Sequence, residues 1–263
     1  MTPLLTIDNL TVRFAAKEAS ANLVIDGFNL KIFPTETLAL VGESGCGKST
    51  VARAILRLIT LPGKITHGKI YYREEELLAL PEKRLRQIRW KEIAMIFQEA
   101  ASALNPLRRA GSQVTEALRL HLGLDKEAAQ AKTLQLFESV DLPEPARCFD
   151  AYPHELSSGM RQRVLIAMAM ACEPKLIIAD EPTTALDVRH QHEVLECLLA
   201  LKRKVGLSLL FITHDLGLVA AWADRVAIMQ HGKIIEAGDT AAVLARPQHA
   251  HTMKLVEAAK RFH

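Results

Sequence analysis

The octapeptide Gly42–Ser49, GESGCGKS, limits what this chain can fold into more than any other stretch. It matches G-x-x-x-x-G-K-[ST], follows the unbroken apolar run Thr37–Val41 and leads into the helix-forming run Thr50–Ile59. Strand, glycine-rich loop and helix in that order are the context a phosphate-binding loop requires. Glycines at 42, 45 and 47 let backbone N–H groups curl around an anion without Cβ clashes, and the helix start adds partial positive charge. Lys48 then reaches β- and γ-phosphates and Ser49 can hold Mg²⁺. The expected cradle is Gly42, Glu43, Ser44, Gly45, Cys46, Gly47, Lys48, Ser49 and Thr50. Cys46 is either a small filler or a thiol whose pKa is lowered by Lys48 and the helix start. Both readings stand at this point.

A strand feeding such a loop must be buried, and the chain has the means. With 263 residues, 49% of them apolar, it can build one large domain or a core with a subdomain. The net charge of +3 comes from interleaved acids and bases, which excludes the clustered basic face of a dedicated nucleic-acid binder. The apolar run Val164–Cys172 is too short to span a bilayer. The start, MTPLLTIDNL, lacks a basic region followed by an apolar core, so no signal peptide is expected. Cys46, Cys148, Cys172 and Cys197 form no CxxC pair. That argues against a disulfide framework or a zinc site and fits a reducing cytoplasm.

Strands are expected at Thr6–Phe14, Leu23–Phe33, Thr37–Val41, Ile93–Phe97, Lys175–Ala179, Leu207–Thr213, Arg225–Met229 and Lys233–Glu236. Helices fall between the later ones, at about 158–172, 188–204 and 215–222. Alternation of this kind implies a mostly parallel α/β sheet. Ala110 to about Phe149 is different: rich in Ala, Leu, Gln and Glu, it reads as an inserted helical subdomain. From about Thr240 the chain reads as helical and polar.

KLIIADEP is a buried strand ending in two acids, which a buried strand seldom does unless a cation is near. Asp180 suits a role on Mg²⁺, and Glu181 suits a base that polarises an attacking water. Pro182 stops the strand, so both sit at its carboxyl edge, where open α/β sheets bind ligands. Gln98 and His214 end two other strands in the same way. Gln98 can offer an amide oxygen to Mg²⁺ or water, and His214 can orient a phosphate or the water. Singly each would serve as an ordinary strand exit; the four together point to one site.

These motifs, taken in order, resemble the ATP-binding subunits of ABC transporters. GESGCGKST looks like Walker A, Phe97–Gln98 like the Q-loop, Leu156–Met160 (LSSGM) like the signature, LIIADE like Walker B, Ala185–Asp187 like the D-loop and Thr213–Asp215 like the H-loop. Phe14 occupies the position of the aromatic residue that stacks on adenine, although it also fits as a strand core residue. The resemblance implies an α/β P-loop, RecA-like core with a mostly parallel sheet, an antiparallel N-terminal β part and the helical insert. It implies ATP and Mg²⁺ as ligands, with Mg²⁺ between Ser49, Gln98 and Asp180. Ser157 is the expected N-cap of the next helix, and with Gly159 it is implied to close over ATP held by a partner subunit. Arg161 and Arg163 are expected to brace that helix against acids. Ser158 and Met160 depart from the usual Gly and Gln of the signature.

YPHELSSGMRQRVLIAMAM, FQEAASALNPL and RPQHAHTMKLVEAA resemble the peptide/nickel importer branch, with Ala250 and His251 substituted in the last. With no cysteine after Cys197, the tail looks more like the nickel-type subunits. His249, His251 and His263 are expected to be ordinary surface histidines, since H-x-H on a helix does not converge on one ion. The expected organisation is a nucleotide-binding core over 1–98 and 155–240, a permease-docking helical subdomain over 99–154 and a tail over 241–263. Implied partners are integral-membrane permease subunits, a second ABC ATPase (a different chain, or a second copy) and, indirectly, an extracytoplasmic substrate-binding protein, at the cytoplasmic face of the membrane and without nucleic acid. Two rivals are a soluble ABC-type ATPase working on DNA or ribosomes and a weakly hydrolysing regulatory subunit. The former carries coiled coils or tandem cassettes that 263 residues do not hold, and the presence of Glu181 and His214 disfavours the latter.

Overall fold

The computed structural model describes residues 1–15, 22–98, 103–183 and 187–260. In chain order the elements are β1 (Leu5–Phe14), β2 (Asn22–Ile32), β3 (Thr37–Val41), α1 (Lys48–Ile55), β4 (Gly63–Tyr72), β5 (Glu75–Glu76), α2 (Glu82–Ile88), β6 (Ile93–Ile96), α3 (Ala110–Leu122), α4 (Lys126–Ser139), α5 (Pro145–Asp150), α6 (Ser158–Met170), β7 (Leu176–Asp180), α7 (Val188–Val205), β8 (Ser208–Thr213), α8 (Leu216–Trp222), β9 (Arg225–Gln230), β10 (Lys233–Asp239), α9 (Thr240–Ala245) and α10 (Ala250–Lys260). They form two compact units, Met1–Leu85 with Ser208–His263, and Arg86–Leu207.

The first unit holds two sheets. One is antiparallel, in the order β2-β1-β4-β5. In the other, β3 lies between β8 and β9 and pairs with both in parallel, and β10 returns antiparallel along β9. All five residues of β3 and all six of β8 are buried, as strands without a charged residue must be when both faces are covered. Ala39, Val41, Val226 and Ile228 project from one face into a core closed by Leu216 and Val219 of α8, Val243 of α9 and Val256 of α10. Each of the valine, leucine and isoleucine side chains removed from water there contributes roughly 1.5–3 kcal/mol.

In the second unit β6 and β7 pair in parallel. Helices α3 and α4 meet through the buried hydroxyls of Thr115 and Thr133, 3.0 Å apart, and the Phe149 ring lies on Gly111, where a Cβ would overlap it. Local signals set the helix ends. Asp125 caps α4 by accepting from Ala128 N–H, and Asp187 caps α7 by accepting from His190 N–H. Gly123 and Gly206 end α3 and α7 in left-handed geometry. Among the described residues no helix is long and apolar enough to cross a membrane.

Three expectations need correction. Helix α1 ends at Ile55, not Ile59, because the chain turns to φ +50° at Arg57, whose guanidinium donates to the Leu80 carbonyl at 2.6 Å. Strand β4 and helix α2 were not expected. The sequence of β4, GKITHGKIYY, buries only part of one face, so it carries little apolar periodicity to find.

Candidate functional site

The phosphate loop is shaped by what lies behind it. Gly45 and Gly47 have φ of +82° and +111°, a region that glycine alone enters readily. A Cβ at Gly42 would overlap the Met229 carbonyl oxygen, and one at Gly47 would lie 2.7 Å from Ile25 Cδ1. The β9–β10 hairpin is thus the floor of the loop, and Gly232 N–H fastens it by donating to the Cys46 carbonyl at 3.1 Å. Lys48, 5% exposed, turns its Nζ into the loop and donates to the carbonyls of Gly42 (2.7 Å) and Glu43 (3.0 Å). An ammonium buried so far must be fully paired, and phosphate oxygens are the natural replacement for those carbonyls. Glu43, Ser44 and Gly45 are exposed along the mouth; Ser49 and Thr50 are half-buried in the first turn of α1.

His214 leaves the same sheet edge as the loop, since Val41 pairs with Thr213 across the β3–β8 ladder. Two short-range bonds fix its turn. Asp215 N–H donates to Thr213 Oγ1 at 3.1 Å, and Asp215 Oδ1 accepts from Gly217 and Leu218 N–H at 2.7 and 3.2 Å. Phe14 is half-buried at the end of β1 opposite Gly63 of β4, where a Cβ would stand 2.6 Å from the ring.

In the second unit Ile96 pairs with Ala179, so Gln98 and the acids Asp180 and Glu181 leave β6 and β7 at one carboxyl edge. Asp180 is 2% exposed. Glu181 sits at φ +46°, uncommon for a residue with a Cβ, and its Oε2 accepts from Gln98 Nε2 at 3.2 Å.

At the start of α6, exposed Ser157 accepts from Met160 N–H at 3.2 Å through Oγ, as the N-cap reading expects. Gly159 is buried under the His190 ring, where a Cβ would make ordinary contact at 3.4 Å. Arg163, 14% exposed, lies 3.7 Å from both Asp141 and Glu193 and donates to the Val140 carbonyl. It braces acids as expected, whereas Arg161 ties down the Leu156 and Pro153 carbonyls at 2.6 and 3.2 Å.

Residues 25–184 match the family model described as ABC transporter. The chain belongs to the ABC transporter family. Among its relatives, the peptidoglycan transport ATP-binding protein YejF of Agrobacterium fabrum is 48% identical over 97% of this chain and 47% of its own length. The oligopeptide transport ATP-binding protein OppD of Bacillus subtilis is 45% identical over 97% of this chain and 72% of its own. The chain therefore spans about half of the first relative and most of the second. Among solved structures, the dimeric post-hydrolysis ATP-binding cassette MJ0796 bound to ADP and Pi superposes with a TM-score of 0.80 at 28% identity, over 90% of this chain and 98% of that one. The fold is the ABC ATPase fold: a P-loop core with mixed sheets, an antiparallel N-terminal sheet and a helical part. The ligand of an ABC ATPase domain is ATP.

Two details of this ABC chain differ from the sequence reading. Burial pushes the Cys46 thiol up, and Lys48 and nearby amides offset that only in part, so the lowered-pKa reading is wrong. His251 is not a surface histidine, its side chain being only 10% exposed. Its burial, the hairpin floor at Met229–Gly232 and the Gln98–Glu181 bond carry no motif of their own. Ala185 and Leu186 of the D-loop, residues 99–102 of the Q-loop stretch and His263 lie outside the described residues.

Proposed function

We propose that this chain is the ATP-hydrolysing subunit of a binding-protein-dependent importer of peptide-class cargo. The observation that carries the reading is Lys48, buried inside a glycine loop with its ammonium donating to the Gly42 and Glu43 carbonyls, contacts that a phosphate can replace. The name of the oligopeptide transport relative supports peptides over the nickel reading drawn from the tail.

The residue roles follow the sequence reading. Gly42–Thr50 cradles the phosphates and Phe14 stacks on adenine. Ser49, Gln98 and Asp180 offer hard oxygen donors, the class Mg²⁺ takes; Gln98 gives its nitrogen to Glu181, which keeps the amide oxygen for a cation. Mg²⁺, when bound, neutralises charge on the β- and γ-oxygens. Glu181 polarises the attacking water, held in place by Gln98, and His214 orients the γ-phosphate. Ser157 and Gly159 act on ATP bound by a second ABC subunit. The helices of 99–154 dock on a membrane permease, which places the chain at the cytoplasmic face of the membrane, fed by an extracytoplasmic binding protein.

The test is MgATP titration of the purified full chain beside Lys48→Ala, then co-purification with integral-membrane partners. Wild type should retain MgATP and the variant should not. A wild-type chain that does not retain it ends the ATP reading, and one that retains it but never brings down a membrane partner ends the importer reading.

A further inference from the structure

The C-terminal helix reaches the phosphate loop through one buried imidazole. Glu236 on β10 accepts from the N–H groups of Gln248 (2.8 Å) and His249 (3.0 Å), which fixes the turn into α10. His249 Nδ1 then accepts from His251 N–H at 3.1 Å. This delivers the His251 side chain, 10% exposed, to the end of β9, where its Nδ1 lies 3.2 Å from Gln230 Nε2. With the Gln230 amide nitrogen donating, Nδ1 is the acceptor and the ring hydrogen sits on Nε2. That Nε2 is buried and has no hydrogen-bond partner among the described residues, a condition native interiors rarely leave unexplained. The group facing it is the Glu43 carboxylate, with Oε1 at 3.9 Å and a side chain 70% exposed. The gap exceeds hydrogen-bond length by about 1 Å, within reach of one rotation of an exposed glutamate.

Glu43 also loses a restraint when the site fills. Its carbonyl is now held by Lys48 Nζ at 3.0 Å, and a phosphate that draws the ammonium away releases it. We propose that His251 is a positioning residue of the nucleotide site, whose Nε2–H takes the Glu43 carboxylate as ATP binds and holds the mouth of the phosphate loop against the β9–β10 hairpin and α10. The inference rests on reading Gly42–Ser49 as the ATP site. It makes the C-terminal helix a contributor to ATP affinity, which none of the phosphate-loop motifs does.

MgATP titrations of the full chain decide it, comparing wild type, Glu43→Ala, His251→Phe, His251→Gln and the double variant Glu43→Ala/His251→Phe. Losing one charge-assisted bond should raise Kd about three- to tenfold in Glu43→Ala and in His251→Phe. His251→Gln, which keeps a donor at similar reach, should recover most of the affinity. The double variant should be no weaker than the weaker single one. Glu43→Ala alters an exposed side chain and reports even where His251→Phe fails to fold. ATP binding by Glu43→Ala equal to wild type overturns the inference and leaves the ATP site standing. So does His251→Gln binding as weakly as His251→Phe, which would make the ring mere packing, and so do effects that multiply in the double variant. Loss of binding in wild type itself refutes the ATP reading instead.

Discussion

Gln98 Nε2 donates to Glu181 Oε2 at 3.2 Å across neighbouring parallel strands. The bond points a carboxylate whose backbone is already confined, at φ +46°, by the turn into Pro182. Left-handed geometry costs a residue with a Cβ roughly 1–2 kcal/mol. Strain of this kind persists where surrounding structure over-determines it, often at functional sites. Here backbone and side chain are fixed by separate means.

Glu181→Gln should keep MgATP binding and lower turnover by about 10²–10⁴, the range for loss of a positioned general base. Gln98→Ala leaves the carboxylate in place but less constrained, and should cost less turnover than Glu181→Gln. Single-turnover phosphate release, run beside nucleotide titration, separates the two effects. Turnover of Glu181→Gln equal to wild type would remove that residue from the chemistry.

Two loop glycines should fail differently. At Gly45, φ is +82° with open space around a Cβ, so Gly45→Ala should cost only backbone strain, roughly 1–2 kcal/mol. At Gly42 there is no such φ, but the added methyl meets the Met229 backbone carbonyl, which cannot swing away. Gly42→Ala should cost about 1–3 kcal/mol by overpacking and weaken ATP binding more than Gly45→Ala does, because the loop must lift off its floor. Urea unfolding and ATP titration measure both. Gly42→Ala binding as tightly as wild type would show that the hairpin yields.

Cys46 should be a sluggish nucleophile. Its pKa is raised, chiefly by burial, so less of it is thiolate near pH 7.5 than of an ordinary thiol. Iodoacetamide should label it more slowly than free glutathione at that pH, with the rate still rising as pH passes 9. Cys172 and Cys197, pushed up to about 11 by burial, should be slower still. Peptide mass mapping over a time course reads all three, and labelling of Cys46 faster than glutathione would contradict burial as the governing cause.

What the sequence revealed was what is local. Strand β3 announces itself because five consecutive uncharged residues have one physical use. The loop, the acids and the Ser157 cap are equally local, each a chemistry written within a few residues. Strand β4 was hidden because only three of its ten residues are buried and Gly68 interrupts it. Helix α1 looked longer because nothing near Arg57 reveals that Leu80 will bind it. The Gln98–Glu181 bond joins residues 83 positions apart, and the seat of Gly42 on Met229 depends on a ladder register that only the folded sheet supplies.

The turn into α10 should depend on pH through Glu236. Burial raises this carboxyl's pKa, but the hydrogen bonds donated by the Gln248 and His249 amides help to outweigh it, leaving a value below the ordinary 4.5. A pKa depressed in the folded state means stabilisation that is present above about pH 4.5 and lost as pH falls through the folded value. Glu236→Gln keeps the shape and removes the charge. Wild type should therefore melt above the variant at pH 7, by less than about 3 °C because the carboxylate is partly solvated. The gap should narrow from about pH 4.5 downward and close below the folded pKa. Melting curves of both proteins from pH 7 to pH 3 check this, and a gap unchanged at pH 3 would show that the carboxylate's charge is not what holds the turn.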